Sequence, residues 1–200
     1  MTDFALASFG AVAAALFVAE LTDKDAFLII AVSTRLRARI VFSAGSVAFV
    51  FTTTVLVTTG SLLVAFVPVY WIRAAGGVVM IAYGLYSARG LMGVGAVKEE
   101  ESRIEKASTA WKSFIALVAA LALLDLAGDA TEVLTIVFVA RYQDPILVFM
   151  AACAGLVSAT AVETALGNRL GNFLTPRRLR VGSVIVFLTL GTLILLFNSS

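Results

Sequence analysis

Apolar residues run along this chain in six stretches, near 4–34, 40–66, 72–92, 109–141, 145–167 and 179–198, separated by shorter polar segments. Each stretch is long enough to supply the roughly 20 residues a helix needs to cross a hydrocarbon layer about 30 Å thick. The pattern predicts six transmembrane helices. The first and fourth runs are longer than crossing demands, and each carries acidic residues part-way along, so a tilt or a local break is expected there. Broken helices at mid-depth are a known transporter device, in which freed carbonyls face a cavity rather than lipid.

Composition agrees with the pattern. Hydrophobic residues make up 60% of the 200 and charged ones only 14%, with a mean hydropathy of +1.01, whereas soluble domains carry about 25% charged residues. The formal charge of +2 is spread over short loops, which gives no basic patch for nucleic acid. Cys153 is the single cysteine and there is no histidine. That excludes a disulfide framework and removes the usual ligands of zinc, copper, nickel and haem. Any metal handled here is expected to be a hard ion held through oxygen, and no resident cofactor is expected. The first run starts behind Asp3 with no basic residue and continues past a normal cleavage position, so it reads as a retained span rather than a signal peptide.

Basic residues set the orientation. With the amino terminus outside, the inner connections hold Arg35, Arg37 and Arg39, then Arg89, Lys98, Arg103, Lys106 and Lys112, then Arg169, Arg177, Arg178 and Arg180. The outer ones hold only Arg73 and Arg141. The positive-inside rule then puts both termini outside, and the plasma membrane of a prokaryote is the simplest location. Tyr70, Trp71 and Trp111 suit interfacial belts.

The one polar stretch of length, around Glu99, Glu100, Glu101, Arg103, Glu105 and Lys106, divides the chain into residues 1–92, a cytoplasmic linker at 93–108, and residues 109–200. A weak repeat relates the halves. At an offset of 106, Asp23 matches Asp129, Leu28 matches Leu134, Ile30 matches Ile136, Arg35 matches Arg141 and Ile40 matches Ile146; at 107, Arg73 matches Arg180 and Gly84 matches Gly191. Three helices per half turn the second copy upside down. The expected fold is therefore an all-α membrane protein of six helices in two inverted three-helix repeats, with a site where the repeats meet.

The chemistry lies in two acidic clusters: Glu20, Asp23 and Asp25 in the first run, and Asp125, Asp129 and Glu132 in the fourth. Charge in hydrocarbon costs a few kcal/mol per group on insertion scales, so intramembrane acids are rare and functional. At about 100° per residue, Glu20 and Asp23 project about 60° apart, and Asp125, Asp129 and Glu132 lie within about 60° of one another. Two such stripes meeting would gather at least four carboxylates. Calcium takes six to eight oxygen ligands, and manganese accepts similar ones. Desolvation and mutual repulsion disfavour having every carboxylate charged, so protons compete with a divalent cation for the same groups. That competition, with alternating exposure to the two sides, is sufficient for cation/proton exchange.

Glu20, Asp23, Asp125 and Asp129 are the primary candidates for metal and proton binding, against the alternative of simple pairing with Lys24 or loop arginines. Asp25 points about 200° from Asp23 on a regular helix, and Glu132 falls nearer an interface. Thr22 and Thr131 either offer hydroxyl oxygens or bond back to the helix backbone. Lys24 either tethers a carboxylate or snorkels. Glu163, alone on the fifth run, is expected near a boundary or in a structural pair, and Cys153 in packing.

At these positions the chain resembles the calcium and manganese cation/proton exchangers whose eukaryotic members act in the Golgi, the calcium:cation antiporter-2 family, marked by two copies of Glu-x-Gly-Asp-Lys/Arg-Ser/Thr. The first copy reads Glu20-Leu21-Thr22-Asp23-Lys24-Asp25, with Thr22 for the Gly and Asp25 for the hydroxyl. The second keeps Gly128, Asp129 and Thr131, has Ala130 for the basic residue, and has Leu126 where the Glu belongs; Asp125 and Glu132 are the nearby substitutes. The resemblance implies exchange of divalent cations for protons at these acids. Two other functions compete with it. An amino-acid-exporter type of transporter shares six spans and about 200 residues, but its solutes call for groups complementary to charged ends. An intramembrane aspartyl protease would use Gly128-Asp129, yet Leu126 stands where its first Gly should be. A purely structural role would leave the buried acids unexplained.

Overall fold

The computed structural model describes residues 2–88, 104, 109–126, 130–170 and 176–196. Regular structure among them is helical throughout: α1 (Thr2–Glu20), α2 (Lys24–Ser33), α3 (Ala38–Phe66), α4 (Val69–Ala88), α5 (Ala110–Asp125), α6 (Ala130–Tyr142), α7 (Pro145–Leu170) and α8 (Pro176–Leu196). Among the described residues the six apolar runs hold eight helices, because the first and fourth are each divided at their acidic cluster. The expected linker at 93–108 lies outside the described residues apart from Ile104, which is buried.

Local chemistry explains the first division. The end of α1 tightens into i→i+3 hydrogen bonds, Thr22 N–H to Ala19 O at 3.1 Å and Asp23 N–H to Glu20 O at 3.0 Å. The Thr22 hydroxyl donates back to Ala19 O at 2.9 Å, the back-bonding that bends helices. Asp23 is then extended (φ −87°, ψ 175°) and caps α2, its Oδ1 accepting from Lys24 N–H at 2.6 Å, a role for which Asp is among the preferred residues. The axis turns by 67° across this joint. In the fourth run α5 ends at Asp125, with Leu126 N–H closing on Ala122 O at 3.0 Å, and α6 begins at Ala130.

Among the described residues, α3, α4 and α7 are each long and apolar enough to cross a membrane, and the bent pair α1–α2 is so when its two helices are taken together. Residues Val184–Leu196 of α8 form a shorter apolar helix. The reversal between α6 and α7 is sharp: Gln143 takes φ +51°, and Asp144 caps α7 by accepting from Leu147 N–H at 3.0 Å, just ahead of Pro145 at the first helical position.

Helix α7 packs on α1, α2 and α3; α3 also packs on α5 and α6; and α4 packs on α6 and α8. Two glycines let α7 come close to the bent span. A Cβ at Gly155 would stand 2.5 Å from Ala13 O, and one at Gly167 would stand 2.5 Å from Ile30 O, so larger residues would push the helices apart. The interior is filled by Leu16, Leu28, Ile29, Phe49, Leu117, Leu121, Leu134 and Phe187. Outside, Phe4, Leu62, Phe66 (84% exposed), Trp71, Leu123 and Ile146 face away from the protein. Acids inside and large apolar groups outside is the distribution lipid requires. The chain is a multi-pass integral membrane protein.

Candidate functional site

The joint between α1 and α2 holds the first cluster. Glu20 closes α1 and is 1% exposed, Asp23 caps α2 and is fully buried, and Asp25, in the first turn of α2, is also fully buried. The separation of about 200° expected between Asp23 and Asp25 assumes a regular helix. The 67° bend breaks the angular count on which it rested, so Asp23 and Asp25 are both enclosed. An acid just inside the start of α2 also meets the positive end of the helix dipole.

From the other half, Asp125 ends α5 at 2% exposure, and Thr131 in the first turn of α6 donates its hydroxyl to Asp125 Oδ1 at 3.4 Å. Of the two threonines, Thr22 bonds back to its own helix while Thr131 turns toward an acid. Glu132 is half-buried, as is Lys24. Asp129 lies outside the described residues.

The two halves converge on Glu20. The charges that act on it are, in order of strength, those of Glu163, Asp25, Asp125 and Asp23, so acids from α1, α2, α5 and α7 share one electrostatic neighbourhood inside the protein. Among the described residues, however, no three Asp, Glu or Cys side chains stand in an arrangement that would hold a metal ion as they are. Cavities of about 430, 380 and 510 Å³ among the described residues are lined by other groups, the last two sharing Arg73, Arg141 and Tyr142.

Two residues outside the primary candidates join the neighbourhood. Glu163 is fully buried, and neither carboxylate oxygen has a hydrogen-bond partner among the described residues. Of the structural pair expected for it, no hydrogen-bonded partner is found among the described residues. The available signal was one acid in the apolar run 145–167. Tyr83 of α4 donates its hydroxyl to Asp23 Oδ1 at 3.2 Å across 60 residues, a contact that nothing in the linear pattern announces.

A family model described as divalent cation/proton antiporter GDT1 matches the chain in two stretches, 8–93 and 111–200. The chain belongs to the GDT1 family. Membership brings divalent cation/proton exchange with it and makes the chain a transporter rather than an enzyme. The family assignment agrees with the resemblance carried by Glu20, Asp23 and Asp129. No curated protein matches the chain, and no solved structure does.

Proposed function

We propose that this GDT1-family protein exchanges calcium or manganese for protons, with Glu20, Asp23, Asp125 and Asp129 binding the two cargoes alternately. The observation that carries this reading is the burial of carboxylates from both halves within electrostatic reach of Glu20. Carboxylates sharing a low-dielectric interior do not all stay ionised, so each arriving cation displaces protons and each protonation releases the cation. Hard ions with flexible oxygen coordination suit such a site, and the chain offers no histidine to soften it. Thr131, Glu132, Asp25, Thr22 and Lys24 are the secondary candidates. The ion is cargo, and no resident cofactor takes part.

The halves 1–92 and 109–200 act as inverted repeats of three spans each, six in all, joined by the cytoplasmic linker at 93–108. Three observations support this. The family match falls into two stretches that leave the centre out. Helix contacts exchange between halves, α1 on α7 with α5 on α3, and α2 on α7 with α6 on α3. Close packing repeats as well: Gly84 meets Leu188 as Gly191 meets Ile81, both partners displaced by 107 positions. Both termini face outward, in the plasma membrane of a prokaryote.

The test is flux into vesicles reconstituted with the protein and loaded with a pH-sensitive dye, with calcium, manganese and magnesium supplied separately under an imposed pH gradient. Calcium or manganese should drive proton movement. Asp23→Asn or Asp129→Asn should abolish most of it without loss of membrane insertion. Normal exchange by either variant removes that residue from the ligand set.

A further inference from the structure

We infer that Glu163 is a ligand of the transported cation, delivering from α7 the carboxylate that the second motif copy lacks at Leu126. The inference rests on the exchange reading above and assigns one more residue to that site.

The first motif copy has its acid at Glu20, buried at the end of α1, whereas the position 106 residues later is Leu126, apolar and 41% exposed on the outer side of the α5 terminus. No oxygen reaches the interior from there. Glu163 is in the interior, fully buried, and among the described residues its charge acts on Glu20 ahead of those of Asp25, Asp125 and Asp23. Both its oxygens lack a hydrogen-bond partner among the described residues, and so does Glu20 Oε1. Buried carboxyl groups are ordinarily hydrogen-bonded, because leaving them unbonded is costly. Two buried carboxyl groups within electrostatic reach of each other, with open oxygens, point to a positively charged ligand shared by them.

The packing of α7 fixes where Glu163 stands. Gly155 abuts Ala13 of α1, and Gly167 abuts Ile30 and Ser33 of α2, so α7 runs in the same direction as the bent span. Eight residues beyond Gly155, about 12 Å at 1.5 Å per residue, α7 reaches Glu163. The same step from Ala13 ends at position 21, at the joint itself. Glu163 is thereby held level with Glu20 and the cap of α2. Its placement is specific to the second half. Thr160, Glu163, Thr164 and Gly167 line the buried face of α7, and 107 positions earlier α3 buries Thr53, Leu56, Val57 and Gly60. The threonine and the glycine recur, while the acid has no counterpart. The site is thus asymmetric: beyond the acids of the two divided runs, α7 adds one that α3 does not match.

Binding of calcium chloride and of manganese chloride, each titrated calorimetrically into the purified full-length protein, tests this alongside vesicle flux. Glu163→Gln should weaken binding of both ions by about tenfold or more, the scale of losses at metal sites, while the protein unfolds at the same or a higher temperature. Glu163→Asp, which keeps the charge on a shorter stem, should fall between the two. Wild-type affinity in Glu163→Gln overturns the inference. So does equal weakening in both variants with a lowered unfolding temperature, the mark of a packing role. If Glu163→Gln is not recovered folded, Glu163→Asp decides: weakening beyond about threefold supports the assignment and wild-type affinity overturns it. A wild-type protein that binds neither ion would refute the exchange reading itself, whereas one that binds while Glu163→Gln binds equally well refutes only the role of Glu163.

Discussion

Replacing Tyr83 with Phe removes a single hydroxyl from the neighbourhood of Asp23 and leaves the packing in place, because the ring stays edge-on to Phe187 with centroids 5.1 Å apart. The lost hydrogen bond, from the Tyr83 hydroxyl to Asp23 Oδ1, is 3.2 Å long. Hydrogen bonds to charged groups contribute about 1.5–3 kcal/mol, but this one is longer than the usual O–H···O range, so about 1 kcal/mol is the appropriate figure. That corresponds to roughly a fivefold change in an equilibrium constant. The direction follows from which form of Asp23 the hydroxyl favours. A donor stabilises the carboxylate, the form that binds a cation, so Tyr83→Phe should raise the KM for calcium about fivefold while changing kcat little. Proton movement in vesicles, measured over a range of calcium concentrations, gives both constants. Tyr86→Phe is the control, since Tyr86 is exposed and its ring only tilts against that of Tyr83 at 6.5 Å. A KM within twofold of wild type in Tyr83→Phe, or an equal rise in Tyr86→Phe, would refute the idea that α4 tunes the site through this bond.

Other substitutions separate packing from chemistry. Gly167→Val places a Cβ 2.5 Å from Ile30 O and 2.6 Å from Ser33 Cβ, and since a backbone oxygen cannot rotate aside, overpacking of about 1–3 kcal/mol should lower the unfolding temperature in detergent and reduce flux; an unchanged melting curve would show that α2 and α7 are not closely apposed. Asp144→Ala removes the cap of α7 and should cost about 1 kcal/mol of stability while leaving calcium KM unchanged, because the residue is exposed and remote from the acids. Thr131→Val deletes the donor to Asp125 Oδ1 and should weaken calcium binding a fewfold by calorimetry, with no change expected if Asp125 is not a ligand. Lowering pH should raise the KM for calcium, by at most about tenfold per unit for each proton displaced, because bound protons must leave before the ion enters. A KM that stays flat across the activity range would rule out competition at carboxylates.

Much of the architecture was legible in the chain because lipid imposes a simple rule on sequence. Runs of about 20 apolar residues, the scarcity of charge and the two interruptions at acidic clusters determined the class and the outline, and the break before Lys24 follows from the local habits of Thr22 and Asp23. The identity of Glu20, Asp23 and Asp125 as interior groups was legible for the same reason. Which face of each helix points inward was not. A helix that is apolar all round carries no amphipathic stripe, and lipid tails are as apolar as the core, so hydropathy does not tell a lipid-facing Leu123 from a buried Leu121. Only the tertiary packing brings Glu163 against the joint, enrols Tyr83 from α4 and encloses Asp25 beside Asp23. It does so through close approaches at Gly155 and Gly167 and one 67° bend, contacts between residues far apart in the chain that no local pattern encodes.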